Sequence, residues 1–308
     1  MNLKINFPQL TFLCIFLCAF FLTIFCSRKR PPDLPETIGS QKTIYDTTAM
    51  TRSKNLQSPL KPPKNGNFYV IAHRGAHNEI PENSIPAYRK AIELGVDFVE
   101  VDIRMSKDGE FVSIHNRSID AYVPGKTGEV EKMTLAELLA LDIGSRIGPQ
   151  WKDTRIPTFE EILRLCKGKC GIYLDLKKAP IEPLTNLIKK FEMEHDVIWC
   201  LADRKALEEV RRCCPECILM PDPDDEESFA AILDEFKPWV VAPVWRDFSR
   251  RLVEMSHRAG ALVFVDEHDK DSWQQAIEWG ADGIQTDHPA ELIEYIRKVH
   301  ESQSSDIH

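Results

Sequence analysis

The sequence predicts an α/β fold, a TIM (β/α)8 barrel with a small insertion after its second strand. From about residue 67 onward, short β-branched runs alternate with helical patterns, and this alternation indicates a parallel sheet covered by helices. Nine runs have the composition of strands, whereas a closed barrel needs eight. Two of the nine are separated by little more than Ser106–Gly109, which is too short for a helical crossover and ends in the Asp-Gly pair typical of a hairpin turn.

The first thirty residues precede the predicted fold. Lys4 lies in a short leading region, Leu10–Cys26 is almost wholly apolar, and Arg28–Arg30 follow at once. An apolar run of roughly 17 residues predicts either a signal peptide or an N-terminal membrane anchor over residues 1–30. Cys26 is similar to the lipid-attachment cysteine of bacterial lipoproteins, although the bulky Phe25 precedes it. We therefore expect an extracytoplasmic protein that is membrane-anchored, lipidated, periplasmic or secreted.

Residues 31–66 predict a linker, because six prolines interrupt them, Ser and Thr are frequent, and no apolar period appears. The barrel is expected over residues 67–300, with its insertion at about residues 104–157, and residues 301–308 are expected to form a tail.

The barrel elements follow in chain order. Setting aside Phe111–His115 as the returning arm of the hairpin leaves eight strands, and the arm is expected to end near the barrel mouth. The predicted strands are Tyr69–Ala72, Asp97–Asp102, Gly171–Leu176, Val197–Leu201, Cys217–Met220, Trp239–Ala242, Leu262–Val265 and Gly283–Gln285. The predicted helices are Ile85–Leu94, Thr158–Cys166, Glu182–Met193, Arg204–Arg212, Ser228–Phe236, Ser249–Ala259, Ser272–Trp279 and Pro289–Val299.

The composition limits the partners of the protein. A net charge of −9 argues against nonspecific binding of nucleic acid, which requires a basic surface. A local basic pocket is still compatible with a small anionic substrate, and no obligate protein partner is predicted. Six cysteines lie outside the leader, and an even number permits disulfides in an exported domain. Cys213–Cys217 favours a structural or disulfide role over a zinc knuckle, because no second ligand pair lies at a suitable spacing.

Acidic residues mark the second and third barrel strands. Glu100 and Asp102 are two positions apart, so their side chains share one face of a strand whose other face is apolar. Two carboxylates that point into a barrel repel each other unless a cation joins them. Asp175 on the next strand could complete a three-carboxylate site for one divalent cation, Mg²⁺ or Ca²⁺. Pairing with surface lysines is the alternative, and it fits the apolar setting less well.

Histidines and basic residues accompany these acids. His73 follows the first strand directly, at the strand end where such barrels carry their chemistry. His115 ends the returning arm, and two imidazoles suit a reaction that needs one base and one acid. Arg74 and Lys177 could each hold a phosphate oxygen. This combination predicts metal-assisted hydrolysis of a phosphoester, in which one histidine takes a proton from the nucleophile and the other protonates the leaving alcohol.

One set of motifs spans about residues 68–299, and it consists of His73–Gly75, Glu82–Ser84, Glu100–Asp102, Asp108–Gly109 with Val112 and His115, Leu174–Lys177, and Gly280–Pro289. As a set it resembles the glycerophosphodiester phosphodiesterase family. The resemblance implies hydrolysis of a small-molecule glycerophosphodiester to glycerol 3-phosphate and an alcohol. It also implies roles for the residues above: His73 and His115 as the acid–base pair, Glu100, Asp102 and Asp175 as metal ligands, Arg74 and Lys177 as phosphate contacts, and Glu82 as a further substrate-binding residue.

Four positions depart from the pattern of that family. Asn116 stands where Asp is usual, Ala121–Tyr122 replaces Arg-Thr, Phe264 replaces a frequent Trp, and Asp175 stands where Glu is common. The departures predict a shifted choice of substrate.

Other activities remain open from the sequence. The same site could hydrolyse lysophospholipids or sphingolipids in the manner of a phospholipase D, a substrate choice that an N-terminal membrane attachment would favour. A phosphatidylinositol-type phospholipase C fits the three carboxylates less well. The chain could also be a non-catalytic surface binding protein that kept the barrel.

Overall fold

The β-branched runs of the sequence form the strands of one sheet. The structure, a computed structural model, describes residues 58–222, 226–266 and 270–305. In chain order its strands are β1 (Tyr69–Ala72), β2 (Phe98–Met105), β3 (Phe111–Ser113), β4 (Gly171–Lys178), β5 (Val197–Leu201), β6 (Ile218–Pro221), β7 (Val240–Val241), β8 (Leu262–Asp266) and β9 (Gly283–Thr286).

All of these strands except β3 are parallel and follow the order β6-β5-β4-β2-β1-β9-β8-β7. A hydrogen bond of 3.0 Å from Ala242 N–H to Pro221 O joins the two ends of this order, so the eight strands within the described residues form a nearly closed barrel. The predicted TIM barrel is confirmed. β7 is shorter than the predicted run Trp239–Ala242, and β2 extends three residues beyond its predicted end at Asp102.

Helices follow the barrel strands and cover their outer face, and one short helix lies in the insertion instead. In chain order the helices are α1 (Ile85–Leu94), α2 (Leu135–Leu139) in the insertion, α3 (Phe159–Cys166), α4 (Ile181–Lys190), α5 (Arg204–Cys213), α6 (Glu226–Phe236), α7 (Arg250–Ala259), α8 (Trp273–Trp279) and α9 (Pro289–Ser305). Helix α4 ends before the predicted Met193, because Glu192 adopts a φ of 54° that no helix continues. Helix α9 continues to Ser305, into residues that the sequence predicted as a tail.

The hairpin after β2 is confirmed. β3 pairs antiparallel with the end of β2, with Met105 opposite Phe111 and Ile103 opposite Ser113. The chain then forms a small subdomain with its own apolar core before it returns to the barrel at α3. This core includes Val112, Ile114, Ile119, Tyr122, Val123, Val130, Leu138, Leu141, Ile143 and Ile156. The subdomain lies beside the barrel mouth, since β3 leads directly to His115.

Aromatic rings fill the lower half of the barrel interior. The rings of Tyr69, Phe98 and Phe264 lie within 6.1 Å of one another, measured between centroids. Two glycines make room for them, because a Cβ at Gly171 would overlap the Phe98 ring and a Cβ at Gly283 would lie 2.8 Å from Tyr69 Cβ. Phe264, one of the departures from the family pattern, is therefore a packing residue of the interior.

Residues 58–66 lie under the barrel, at the end where the strands begin. Leu60 is buried against the interior cluster, and the hydroxyl of Tyr69 donates to Lys61 O at 2.9 Å. Lys64 N–H donates to Asp97 Oδ1 at 2.7 Å, and Lys64 Nζ donates to two backbone carbonyls that precede strands β2 and β4. Contacts of the barrel therefore begin before residue 67.

A disulfide joins Cys214 and Cys217 in the turn between α5 and β6. This agrees with the structural role predicted for Cys213–Cys217. Four further cysteines of the described part of the chain are free thiols: Cys166, Cys170, Cys200 and Cys213.

Candidate active site

The turn after β1 carries the first predicted site residues. The His73 N–H extends the ladder between β1 and β9 by one hydrogen bond. Arg74 and Gly75 then adopt φ values of 53° and 82°, which turn the chain sharply. Gly75 is required at this point, because a Cβ would lie 2.8 Å from the carbonyl carbon of Ala87 in α1. The turn holds the Arg74 N–H 2.7 Å from Glu100 Oε2, so the backbone itself positions a predicted metal ligand.

Three carboxylates converge at the mouth of the barrel. Glu100 and Asp102 are each 1% exposed, Asp175 is half-buried, and the register of β2 and β4 places Asp102 beside Asp175. One oxygen atom from each residue lies within 4.8 Å of the others. Burial, followed by the charges of Asp102 and Asp175, raises the pKa of Glu100 well above its ordinary value. Burial also raises the pKa of Asp175. The cluster therefore attracts positive charge.

Two basic side chains supply part of that charge. Lys177 Nζ lies 2.6 Å from Asp175 Oδ2 and 3.2 Å from Asp102 Oδ1. Burial alone would lower the pKa of the Lys177 ammonium, but the charges of the two carboxylates raise it above its ordinary value. Arg74 Nε lies 3.5 Å from Asp102 Oδ2, and Arg74 Nη1 lies 3.2 Å from Glu82 Oε1. The predicted phosphate contacts and the predicted metal ligands therefore share one site.

The donor set of this site fits a hard divalent cation. Carboxylate oxygens are the ligands that Mg²⁺ and Ca²⁺ prefer. Asp102 Oδ1 is buried and accepts no hydrogen bond, although it lies at ion-pair distance from Lys177. Such an oxygen keeps lone pairs that a cation can use, and its burial without a hydrogen bond is costly otherwise.

His73 is held by a carboxylate from the last barrel strand. His73 Nδ1 lies 2.6 Å from Asp287 Oδ1, just after β9, and the His73 side chain is largely buried. With its proton on Nδ1, a neutral His73 ring presents Nε2 as a proton acceptor. His77 Nε2 lies 3.0 Å from the same Asp287 oxygen.

His115 is held by an amide instead of a carboxylate. Its Nδ1 lies 2.9 Å from Asn116 Oδ1, which accepts a hydrogen bond from the ring N–H and leaves Nε2 available for proton exchange. Arg104 donates to the backbone carbonyl of His115 from Nε at 3.0 Å and from Nη2 at 2.8 Å. These bonds fasten the end of the β3 arm to β2. Asn116, where the family usually has Asp, therefore orients the ring without adding a negative charge.

Glu82 joins the carboxylate cluster to the subdomain. The hydroxyl of Tyr122 donates to Glu82 Oε1 at 3.2 Å, and burial together with the Glu82 charge raises the pKa of Tyr122 to about 12, so the phenol stays protonated. The guanidinium of Arg146 lies 5.2 Å from the centre of the Tyr122 ring and 4.0 Å from Glu82 Oε2. Arg146 of the insertion therefore contacts both Glu82 and Tyr122.

Asn83 connects three elements beneath the site. Its side-chain amide donates to Asp102 Oδ2 at 2.6 Å, and its Oδ1 accepts from the hydroxyls of Tyr88 at 2.7 Å and Ser113 at 2.8 Å. Its φ of 49° lies in the left-handed region, which Asn adopts more readily than most residues. The motif Glu82–Ser84 therefore links α1, β2 and β3 through one buried side chain.

All eight predicted site residues lie at the barrel mouth, and sequence reasoning missed four neighbours. Asp287 also follows a strand, so the rule that placed His73 could have identified it. His77 lies four residues after His73, and neither a strand end nor a motif in the sequence marks it as a site residue. Asn83 belongs to the motif Glu82–Ser84, but the motif assigned a role to Glu82 alone. Arg146 lies in the insertion, where no periodicity indicates which way its side chain points.

Comparison with known proteins gives the family of this chain. Residues 73–210 match the model of the glycerophosphoryl diester phosphodiesterase family. A glycerophosphodiester phosphodiesterase of Caldanaerobacter subterraneus is 31% identical over 248 residues, which cover 74% of this chain and 98% of the relative. A glycerophosphodiester phosphodiesterase of Bacillus subtilis is 25% identical, over 79% of this chain and 93% of that protein.

Solved structures share the fold. An Oleispira antarctica phosphodiesterase in complex with the product sn-glycerol-3-phosphate is 24% identical with a TM-score of 0.65, and the match covers 75% of this chain and 96% of that one. A glycerophosphodiester phosphodiesterase from Agrobacterium tumefaciens is 23% identical with a TM-score of 0.66, over 74% and 99% of the two chains. The match across nearly the whole Caldanaerobacter relative confirms the resemblance of the motifs, and the chain belongs to the glycerophosphodiester phosphodiesterase family.

Proposed function

We propose that the protein hydrolyses glycerophosphodiesters to glycerol 3-phosphate and an alcohol, with one divalent cation, Mg²⁺ or Ca²⁺, and a histidine pair as acid and base. The convergence of Glu100, Asp102 and Asp175 within 4.8 Å at the barrel mouth carries this proposal. Membership of the family supports the reaction class. The structure of the Oleispira phosphodiesterase in complex with its product sn-glycerol-3-phosphate supports glycerol 3-phosphate as the product here.

Glu100, Asp102 and Asp175 would hold the cation, which when bound would supply Lewis-acid chemistry to the phosphate group. Arg74 and Lys177 bind the remaining phosphate oxygens, because both side chains lie within 3.5 Å of Asp102, one of the proposed metal ligands. Their charge stabilises the negative charge that grows on the phosphate in the transition state.

His73 and His115 move the protons. Asp287 and Asn116 hold the two Nδ1 atoms, so each ring uses Nε2 for proton exchange. One Nε2 accepts the proton of the attacking hydroxyl, and the other, in a protonated ring, donates a proton to the oxygen of the leaving alcohol. Glu82 assists by holding the Arg74 guanidinium through Nη1.

A substrate panel tests this proposal. Glycerophosphocholine, glycerophosphoethanolamine, glycerophosphoglycerol and a lysophospholipid are each incubated with Mg²⁺, with Ca²⁺ and with EDTA, and glycerol 3-phosphate is assayed. We expect hydrolysis of at least one water-soluble glycerophosphodiester, its loss in EDTA, and no activity in the matched His73→Ala variant. Turnover that survives chelation would contradict the cation site, and activity confined to the lysophospholipid would favour the phospholipase D-like alternative.

We also propose that the enzyme acts outside the cytoplasm. The apolar run Leu10–Cys26, with Arg28–Arg30 after it, supports this location, and it lies outside the described residues. Within the described ranges, no helix is long and apolar enough to cross a bilayer. Cell fractionation of the full chain and of a chain that lacks residues 1–30 tests the proposal, because only the full chain should be exported.

A further inference from the structure

We propose that His73, His77 and Asp287 form a second metal site, which binds a transition metal ion such as Zn²⁺ and thereby inhibits the enzyme. The three side chains come from the turn after β1 and from the residue that follows β9. A nitrogen of each histidine and an oxygen of Asp287 all lie within 4.8 Å of one another. This site shares no residue with the site of the three carboxylates.

The two donor nitrogens lie close to the same carboxylate oxygen. His73 Nδ1 and His77 Nε2 lie 2.6 Å and 3.0 Å from the same atom, Asp287 Oδ1. The two imidazole planes are inclined by 72°, so the rings approach the carboxylate from different directions instead of stacking. The side chains of His77 and Asp287 are 23% and 33% exposed, which leaves a route for an ion from solvent.

The chemistry of the donors distinguishes this site from the first. Two imidazole nitrogens and one carboxylate oxygen are a frequent ligand set of Zn²⁺, with water as the fourth ligand. Imidazole suits Zn²⁺, Cu²⁺ and Ni²⁺, whereas carboxylate oxygens suit Mg²⁺, Ca²⁺ and Mn²⁺. The barrel mouth thus presents a hard oxygen site and a softer mixed site that select different ions.

Occupation of the mixed site would block proton transfer by His73, a consequence that rests on the proposed function. A metal ion bound at Nδ1 takes the lone pair of that nitrogen, so the ring proton must reside on Nε2. A neutral ring in this state can donate a hydrogen bond from Nε2, but it can neither accept a proton there nor act as a general acid. A protonated ring would release one proton to solvent when the ion binds. In both cases His73 is removed from the acid–base cycle.

Calorimetric titration with Zn²⁺ in saturating Mg²⁺ tests the site itself. The wild-type protein is compared with His77→Gln, and with His195→Gln, which changes an exposed histidine at the opposite end of the barrel. We expect one Zn²⁺ per wild-type chain and per control chain, and an affinity at least about 10-fold weaker in His77→Gln, since even outer-shell changes weaken metal binding by roughly 10–100-fold. Equal affinity in all three proteins would overturn the proposal.

Inhibition is measured on the same three proteins. Zn²⁺ should suppress the hydrolysis of glycerophosphodiesters by the wild type and the control, whereas His77→Gln should require at least about 10-fold more Zn²⁺ for the same fractional suppression of its own rate without Zn²⁺. Binding that depends on His77 without any inhibition would overturn the inhibitory role. Binding that depends on His77 in a protein that hydrolyses none of the substrates would support the metal site and refute the proposed function.

Discussion

At the residue scale, Asp287 controls the orientation of His73. Because its Oδ1 lies 2.6 Å from His73 Nδ1, Asp287 holds the ring in place and fixes its tautomer. We expect Asp287→Asn to lower kcat by about 10²–10⁴-fold, the range that a positioned acid–base group contributes, while KM changes little. Steady-state kinetics measure both constants. Asp203→Asn is the matched control, because Asn caps α5 as well as Asp does, and an equal loss in this control would refute the assignment.

Glu100 illustrates a conflict between stability and activity at one residue. Its pKa is raised, first by burial and then by Asp102 and Asp175, so the ionised form costs free energy in the folded protein. We expect Glu100→Gln to raise the melting temperature in EDTA, because the amide keeps an acceptor for the Arg74 N–H and removes a like charge. The same variant should lose the stabilisation by Mg²⁺ or Ca²⁺ together with most of the activity. Thermal melts with and without the cation test this, and a lower melting temperature in EDTA would contradict it.

The part of the candidate site that the sequence predicted best was which residues of the strands would meet there. Period-two spacing placed Glu100 and Asp102 on one face of β2, and the parallel register then placed Asp175 beside them. Arg146 could not be predicted, since its position depends on the path of an insertion that has no regular alternation. Its contact with Tyr122 is visible only in the folded subdomain.

At the element scale, His257 and Asp282 tie the last turn of α7 to the strands beside it. His257 Nε2 lies 2.8 Å from Asp282 Oδ2, which also accepts from the Val263 N–H at 2.8 Å. The hydrogen bond to Asp282 is the main cause that raises the pKa of His257 above its ordinary value of 6.5. A raised pKa in the folded state means that the interaction stabilises the protein fully below about pH 6.5 and that this stabilisation is lost as the pH rises through the folded pKa.

We therefore expect the melting temperature of the wild type to fall between about pH 6 and pH 8 by more than that of His257→Gln. Melts in EDTA over this range measure the difference without any contribution from a bound cation. His195→Gln, another histidine substitution at the same end of the barrel, should keep the wild-type slope. A parallel pH dependence in all three proteins would refute the role of this pair.

Element boundaries were predictable where the sequence marks them locally. Helix α1 matches its predicted bounds, with Ser84 as N-cap and Gly95 in the left-handed conformation after its last turn. Helix α2 was missed, because five residues within an irregular insertion give too short a period to recognise. The hairpin of β2 and β3 was found because Asp108–Gly109 has a specific turn chemistry.

At the scale of the whole molecule, the candidate active site and the stabilising contacts of residues 58–66 lie at opposite ends of the barrel. Leu60 and Lys64 lie at the end of the barrel where the strands begin. The Lys64 N–H donates to the buried Asp97, and the backbone carbonyl of the residue after Leu60 accepts from the Tyr69 hydroxyl. A chain that begins at residue 67 loses the burial of one leucine and leaves two polar groups without these partners. We expect it to be less stable than a chain that begins at residue 58 by about 3 kcal/mol or more.

Urea unfolding of the two truncated chains measures this difference, and activity at low temperature serves as the control. Because the mouth lies at the other end of the strands, both chains should share the same kcat while folded. Equal unfolding midpoints would show that residues 58–66 add nothing to the barrel. The sequence could not indicate these contacts, since the prolines of residues 31–66 give the segment the composition of a linker throughout.

The position of residues 58–66 also fixes the end of the barrel at which the preceding chain is attached. The chain enters the barrel from beneath, among residues that precede β2, β4 and β5, such as Val96, Lys169 and Asp196. An anchor placed before residue 58 would attach the molecule to a bilayer by this end. The mouth, with Glu100 and His73, would then lie at the opposite end of the barrel, separated from the point of attachment by the whole length of the strands.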